Sequence, residues 1–360
     1  MSSKIKLFVS ALEISSNVHL RFLIKGLESR IDIELYGVFD KDISTNSPIY
    51  SPKDFSIMGF VDVFYKIRFL SIALKNMSKL ALSCDKILLL DSSSFHIPLA
   101  KKIKKQNKEK KIIYYILPQI WAWKPWRAKV IEEYFDILAG ILPFEIEHYK
   151  SKAIFVGHPL LDEIKEFKNE VIDSDIITFM PGSRISEINR IFPIFREVKD
   201  RLKNLDSTLV FNLVVPKVFK DSNLIEIYKN LDDFNIVFDS HQSLYKSKFA
   251  FICSGTATLE CAIIGTPFVL GYKAKKIDAL IVKNFLNIKY VGLANILYQK
   301  INPDSIFHDE FLQNELNADN LIDSYYSSND NDFICKSRQI RDYLKHGSLN
   351  KMCDIVLDSK

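Results

Sequence analysis

Uniformly apolar runs of strand length alternate along this chain with longer stretches whose apolar residues recur at helical spacing. That alternation predicts βα units on a mostly parallel sheet. The first set of runs is "KIKLFVSAL", "IDIELYGVF", "KILLLD", "KIIYYI" and "LAGILP"; the second is "IITFMPG", "TLVFNLVV", "NIVFD", "FAFICSG" and "PFVLGY". Between the sets, "GHPLLDEIKEFKNEVIDSD" is polar and charged and continues no core pattern. A boundary is expected between Asp162 and Asp175, giving an α/β protein of two Rossmann-like domains, 1–165 and 166–335, that face each other across a cleft. The last segment, 336–360, has helical spacing and can cross back onto the first domain, in its own chain or in a partner, which leaves a homodimer open. Ligands of open α/β sheets bind beyond the carboxyl ends of the strands, so the chemistry is expected in the loops that follow them.

Those loops hold a short set of candidates. After the first strand, Glu13, Ser15, Ser16 and Asn17 lead into a helix without a GxGxxG pattern, which disfavours a nicotinamide or flavin cofactor. The serines and the asparagine suit either a helix cap or a substrate contact. Asp91 directly follows an apolar strand and precedes three serines. A carboxylate there can take a proton from a sugar hydroxyl, or it can be a turn residue. Pro181-Gly182-Ser183-Arg184 stands between a strand and a helix, an arrangement that offers a phosphate both backbone N–H groups and a guanidinium. Ser254, Gly255 and Thr256 open another helix after a strand, and Glu260 lies one turn further in. Glu260 suits the vicinal hydroxyls of a ribose or a structural salt bridge.

Composition narrows the setting. About half of the 360 residues are apolar, enough for a sizeable core. Up to Val156 there are 24 Lys and Arg against 16 Asp and Glu; beyond it, 25 against 28. The basic half is therefore the first, which suits an anionic lipid surface or a phosphorylated substrate. Five scattered cysteines show no metal-ligand spacing, so a reduced, cytoplasmic setting without structural zinc is expected. No window has the apolar length of a transmembrane helix, and the N-terminus reads as a strand rather than a signal peptide. In "SIMGFVDVFYKIRFLSIAL", the residues Ile57, Met58, Phe60, Val61, Phe64 and Phe69 suit a membrane interface, although core packing gives a similar pattern. All three tryptophans fall in "LPQIWAWKPWRAKVI" with Lys124 and Arg127 between and beside them. Aromatics interleaved with basic residues can stack on nucleic acid, but a position after a strand in an α/β domain disfavours that partner.

Taken in order, "SIMGFVDVFYKI", "LPQIWAWKPWRAKVI", "FVGHPLLD", "MPGSRISEI", "SGTATLEC", "VLGYK" and "YVGLANIL" resemble the lipid A disaccharide synthase family, inverting glycosyltransferases of the two-domain B-type fold. The resemblance spans almost the whole chain. It implies transfer of diacylglucosamine from UDP to the 6-hydroxyl of diacylglucosamine 1-phosphate, releasing UDP without a metal or other cofactor. It also implies Asp91 as general base, Arg184 on the UDP diphosphate with Gly182, Ser183, Ser254, Gly255 and Thr256, Glu260 on the ribose and Asn295 in support of the nucleotide. Glu13, Ser15, Lys124 and Arg127 would serve the acceptor. A tetraacylated product implies a peripheral enzyme on the cytoplasmic face of the inner membrane.

The chain departs from the family pattern on the acceptor side. Its first loop, Leu12 to Asn17, lacks the family's two glycines and its aspartate, and Ser94 replaces the second aspartate of Asp-Ala-Pro-Asp. Two rivals remain: another B-type UDP-sugar enzyme, such as a lipid-linked peptidoglycan N-acetylglucosaminyltransferase or a UDP-sugar epimerase, and a catalytically silent lipid- or nucleotide-binding protein.

Overall fold

The computed structural model describes residues 4–55, 63–123, 125–253, 255–273 and 289–358. The chain divides into two units, Met1–Glu163 with Leu344–Lys360, and Ile164–Tyr343.

The first unit is built on six parallel strands: β1 (Ile5–Ala11), β2 (Ile33–Val38), β3 (Lys86–Leu90), β4 (Ile113–Tyr115), β5 (Ile137–Gly140) and β6 (Ala153–Phe155), in the order β2-β1-β3-β4-β5-β6. Ile87 to Leu90 are fully buried, as expected for a strand covered on both faces. The helices are α1 (Ile14–Glu28), α2 (Val63–Ser83), α3 (Ser93–Gln106), α4 (Ile120–Trp123), α5 (Arg127–Tyr134) and α6 (Pro159–Glu163). One face of the sheet packs Phe8, Leu89, Leu99, Ile103, Tyr114 and Phe135 into a continuous core.

In the second unit the strands are β7 (Ile176–Met180), β8 (Val210–Val214), β9 (Phe234–Val237), β10 (Phe249–Ile252), β11 (Phe268–Tyr272) and β12 (Glu310–Leu312), in the order β12-β11-β10-β7-β8-β9 and again parallel. Its helices are α7 (Ile185–Leu205), α8 (Leu224–Tyr228), α9 (Ser240–Lys246), α10 (Thr256–Ile264), α11 (Leu293–Ile301), α12 (Ala318–Ser327) and α13 (Asp330–Leu344). Phe179 stacks on Phe251 at 5.0 Å between ring centroids, in a core that also takes Phe192, Phe195 and Phe211.

All ten strands read from the apolar runs are present. The edge strands β6 and β12 are additional; at three residues each they are too short to show a periodicity.

After α13 the chain turns through Lys345 and Gly347, both at positive φ, into α14 (Ser348–Asp358), which packs on α1. Asp162 accepts the backbone N–H groups of Gly347 and Leu349, at 2.9 and 2.8 Å, and so caps the start of α14. Arg30 of α1 bridges Asn350 and Asp354, each at 2.6 Å.

Each sheet reverses strand order once. In the first, β2 lies to one side of β1 and β3 to the other; in the second, β8 and β10 flank β7 in the same way. Such a switch point parts the loops beyond the strand ends and opens a crevice there.

Candidate functional site

The switch point of the first unit carries Asp91. Ala11 and Leu90 are register partners, so the loop entering α1 and the Asp91 loop leave the sheet side by side. Asp91 and Ser92 are consecutive non-glycine residues in the left-handed region, at φ 53° and 42°. A conformation that costs energy survives only where its surroundings hold it. Here the Asp91 carbonyl accepts two hydrogen bonds at 2.7 Å, from the Tyr114 hydroxyl and from Nδ1 of His96. His96 is fully buried and its Nε2 accepts from Ser10, 2.8 Å away. Burial lowers the His96 pKa to about 4, so the ring is neutral and acts as a brace for the Asp91 backbone.

The Asp91 side chain remains half-buried. Burial pushes its carboxyl above the ordinary range, the Ser92 backbone N–H pulls it back, nearby Glu13 adds to the rise and His19 opposes it. A carboxyl whose affinity for a proton is raised in this way suits a general base.

Around Asp91 the expected residues divide. Glu13 is exposed at the N-cap of α1, and Ser15 is half-buried beside it. Arg127 opens α5 and donates to Ser93 Oγ at 3.0 Å, which brings its guanidinium to the Asp91 loop. Asn17 is structural: it donates to the Ala11 and Glu13 carbonyls and accepts from the Asp40 N–H, all at 2.9 Å. Among the described residues, Ser16 Oγ and Ser92 Oγ are buried without a hydrogen-bond partner. Trp121 packs its ring edge-on against Phe144 at 5.1 Å, whereas Trp126 is exposed. Lys124 lies outside the described residues.

One pair near Asp91 escapes sequence reading. His19, in the second turn of α1, meets Glu163 at the end of α6 with 2.6 Å between Nδ1 and Oε1, and both side chains are buried. The partners are 144 residues apart, and neither carries a motif that points to the other.

Of the six residues expected at a membrane interface, Phe69 is half-buried and packs on the core. Its ring lies 5.4 Å from both Tyr50 and Phe55 in edge-to-face contact. Ile57, Met58, Phe60, Val61 and the side chain of Phe64 lie outside the described residues. Beyond them on α2, Ile67 and Ile72 are exposed. We expect Phe69→Ala to destabilise the protein by about 2–4 kcal/mol, seen as a lower urea midpoint, with vesicle binding unchanged. Weakened vesicle binding at unchanged stability would restore the membrane role.

The switch point of the second unit gathers the other candidates. Ile252 and Met180 are register partners, and Cys253 N–H donates to the Met180 carbonyl at 2.8 Å, so the loops after β7 and β10 run together. Gly182 has φ 112°, a backbone conformation that strains any side chain, and a Cβ there would crowd Glu187 at 2.9 Å from Oε2 and 3.1 Å from Cβ. Ser183 is exposed, and Arg184 forms the N-cap of α7. Its guanidinium is 73% exposed and touches Glu187 at 3.0 Å, a weak pair that leaves most of its donors to solvent or ligand. Gly255, φ 127°, starts α10 with open space where a side chain would stand, and Thr256 is exposed next to it. Ser254 lies outside the described residues. Two helix N-termini thus point into one crevice, a favourable place for a diphosphate.

Glu260, half-buried, is steadied from α9: Oε2 accepts from Ser240 Oγ at 3.1 Å and lies 3.7 Å from His241 Nε2. Asn295 departs from expectation. It is fully buried; its Nδ2 donates to the His308 carbonyl (2.9 Å) and Glu310 Oε1 (2.8 Å), while Oδ1 accepts from Phe307 and His308 N–H. With its amide saturated it cannot also bind a nucleotide, and its effect must pass through the turn it braces. Among the described residues no three His, Cys, Asp or Glu side chains group to hold a metal ion, and no helix is long and apolar enough to cross a membrane.

Comparison with known proteins bears on this arrangement. The family model described as lipid-A-disaccharide synthetase matches residues 7–352. A lipid-A-disaccharide synthase of Helicobacter acinonychis (strain Sheeba) is 49% identical over 357 residues, 97% of each chain. One from Campylobacter jejuni (strain RM1221) is 42% identical over 365 residues, 97% of this chain and 98% of that one. Among solved structures, the UDP-GlcNAc 2-epimerase of Methanocaldococcus jannaschii in complex with UDP-GlcNAc and UDP superposes with a TM-score of 0.56 at 12% identity, over 99% of this chain and 100% of that chain. At that identity the likeness is one of fold alone.

Proposed function

This chain belongs to the lipid-A-disaccharide synthetase family and is a glycosyltransferase, and from that premise we propose how its own residues carry the transfer. The donor is UDP-2,3-diacylglucosamine and the acceptor 2,3-diacylglucosamine 1-phosphate. Asp91 takes the proton of the acceptor's 6-hydroxyl as that oxygen attacks the donor's anomeric carbon from the face opposite UDP. The bond from that carbon to the phosphate oxygen breaks, its electron pair leaves with UDP, and the configuration inverts to β-1,6. The observation that carries this reading is the braced Asp91 loop at the first switch point, with a half-buried carboxyl of raised proton affinity.

Charge on the leaving diphosphate falls to Arg184, Gly182 and Ser183 at the start of α7, and to Ser254, Gly255 and Thr256 at the start of α10. Glu260, with Oε2 engaged by Ser240, turns Oε1 to the ribose. Arg127 and Lys124 are assigned to the acceptor's phosphate, with Glu13 and Ser15 beside its sugar. No metal is assigned a part. The two lipid substrates require access to a membrane surface, and we assign the protein to the cytoplasmic face of the inner membrane, with Ile57, Met58, Phe60, Val61 and Phe64 as its candidate lipid contacts.

Replacement of Arg184 tests the donor side. Losing one charge-assisted contact predicts a fall in kcat/KM of about 10- to 100-fold, with weaker UDP binding. Stability should hardly change, because the pair with Glu187 is exposed at the arginine. Undiminished UDP affinity in Arg184→Ala, measured by calorimetry, would remove the arginine from the diphosphate.

A further inference from the structure

The loops after β3, β4 and β5 leave the first sheet in a row, and each is tied to the next. Leu90, Tyr115 and Ala139 are successive register partners; the Asp91 N–H donates to the Tyr115 carbonyl at 3.1 Å, and the Ile116 N–H to the Ala139 carbonyl at 3.2 Å. The middle loop carries all three tryptophans of the chain. We propose that Glu145, in the third loop, is a positioning residue for the acceptor: it fixes the turn on which the tryptophan loop rests, and through that loop the place of Arg127.

Glu145 lies in a short 3₁₀ helix, Pro143–His148, and is only 1% exposed. Its Oε1 accepts the Ile141 and Leu142 N–H groups, at 2.6 and 3.0 Å, and so closes the turn at the end of β5. Gly140 makes room for it, because a Cβ there would stand 2.8 Å from Oε1. The closed turn sets the neighbouring residue, Phe144, whose ring meets Trp121 edge-on with 5.1 Å between centroids. Such a pair holds only while both rings keep their place.

The tryptophan loop needs this seat. It departs from β4 through Ile116 at φ 59°, a left-handed conformation that a β-branched residue keeps only where its surroundings impose it. It ends at Arg127, the first residue of α5, which donates to Ser93 Oγ at 3.0 Å in the loop of Asp91. A run of contacts and short chain segments thus leads from Glu145 through Phe144, Trp121 and Arg127 to Ser93. The residues assigned to the donor's nucleotide all belong to the other unit, so a change at Glu145 should act on the acceptor alone. Burial raises the Glu145 carboxyl to about 8, against the pull of the two N–H groups. Glutamine, neutral and able to accept both bonds, is therefore its faithful substitute.

This inference rests on the assignment of Arg127 to the acceptor, and the experiment separates the two. Initial rates are measured over ranges of donor and of acceptor for wild type, Glu145→Gln, Glu145→Leu, Phe144→Leu and Arg127→Ala, with thermal unfolding and tryptophan emission of each. Because the three tryptophans share one loop, the emission reports on that loop alone. In Glu145→Leu the acceptor KM should rise about five- to twenty-fold, with kcat within about two-fold and the donor KM unchanged, the pattern of lost substrate binding rather than lost chemistry. Its emission should shift to the red and be quenched more readily by acrylamide, and Glu145→Gln should restore both readouts. Phe144→Leu, which removes the ring under Trp121, should show the same split and decides the matter if Glu145→Leu does not fold. Unmoved emission, no rescue by glutamine, or a fall in kcat and a rise in both KM values that track lost thermal stability would overturn the proposal. An acceptor KM untouched by Arg127→Ala would remove the arginine from the acceptor and overturn the proposal from that side.

Discussion

Asp91→Asn is expected to give a folded protein whose transfer rate is lower by about 100- to 10,000-fold, the range that a positioned general base contributes. Asparagine is the right replacement because, like aspartate, it tolerates the left-handed backbone found at this position. The Tyr114 and His96 hydrogen bonds end on the Asp91 main-chain carbonyl and survive the change. Stability should move the other way from activity. The folded state raises the Asp91 pKa above its unfolded value, so this group destabilises the fold increasingly as pH rises from the ordinary carboxylate range through the folded value. At neutral pH the variant should therefore unfold at the same temperature as wild type or higher. A variant that lost activity together with several degrees of thermal stability would point to damage of the loop rather than loss of a base.

Asn295→Ala is expected to be the most destabilising single change among the candidate residues, by roughly 3–5 kcal/mol. The amide is the centre of a buried polar network. Removing it takes their Asn295 partner from the Phe307 and His308 N–H groups and from the His308 carbonyl, and removes one of the donors to Glu310 Oε1. Glu310 in turn accepts the Val291 and Gly292 N–H groups, at 2.8 and 3.0 Å, ahead of α11. Gly292 has no room to compensate: a Cβ there would lie 2.7 Å from His308 Nε2 and 2.8 Å from Glu310 Oε1. Urea unfolding should show a lower midpoint with an unchanged slope, and weaker UDP binding should follow from the slackened turn. A stable variant that merely bound UDP poorly would return Asn295 to direct nucleotide contact.

Asn295 also shows where sequence reading ends. The motif "YVGLANIL" resembles the family pattern, yet its asparagine acts by holding His308 and Glu310, which are distant in sequence and unmarked by any pattern. The parallel α/β architecture was legible because strands buried on both faces, such as "KILLL", are written as unbroken apolar runs. So was the placing of Asp91, Arg184 and Gly255 at strand ends, since each directly follows or nearly follows such a run. What the sequence could not state is adjacency through the sheet. That the loops after β1 and β3, or β7 and β10, lie side by side depends on strand order, and so does the meeting of His19 with Glu163. Phe69 illustrates the opposite difficulty: an aromatic between basic residues reads alike for a lipid surface and for a core of Tyr50 and Phe55.

The most direct test is a transfer assay with purified protein, UDP-2,3-diacylglucosamine and 2,3-diacylglucosamine 1-phosphate in the presence of a chelator, with products identified by mass spectrometry. Wild type should release UDP and form one tetraacyl disaccharide 1-phosphate in equal amounts, and Asp91→Asn should form almost none. Hydrolysis of the donor without a disaccharide, or equal product from Asp91→Asn, would contradict the account.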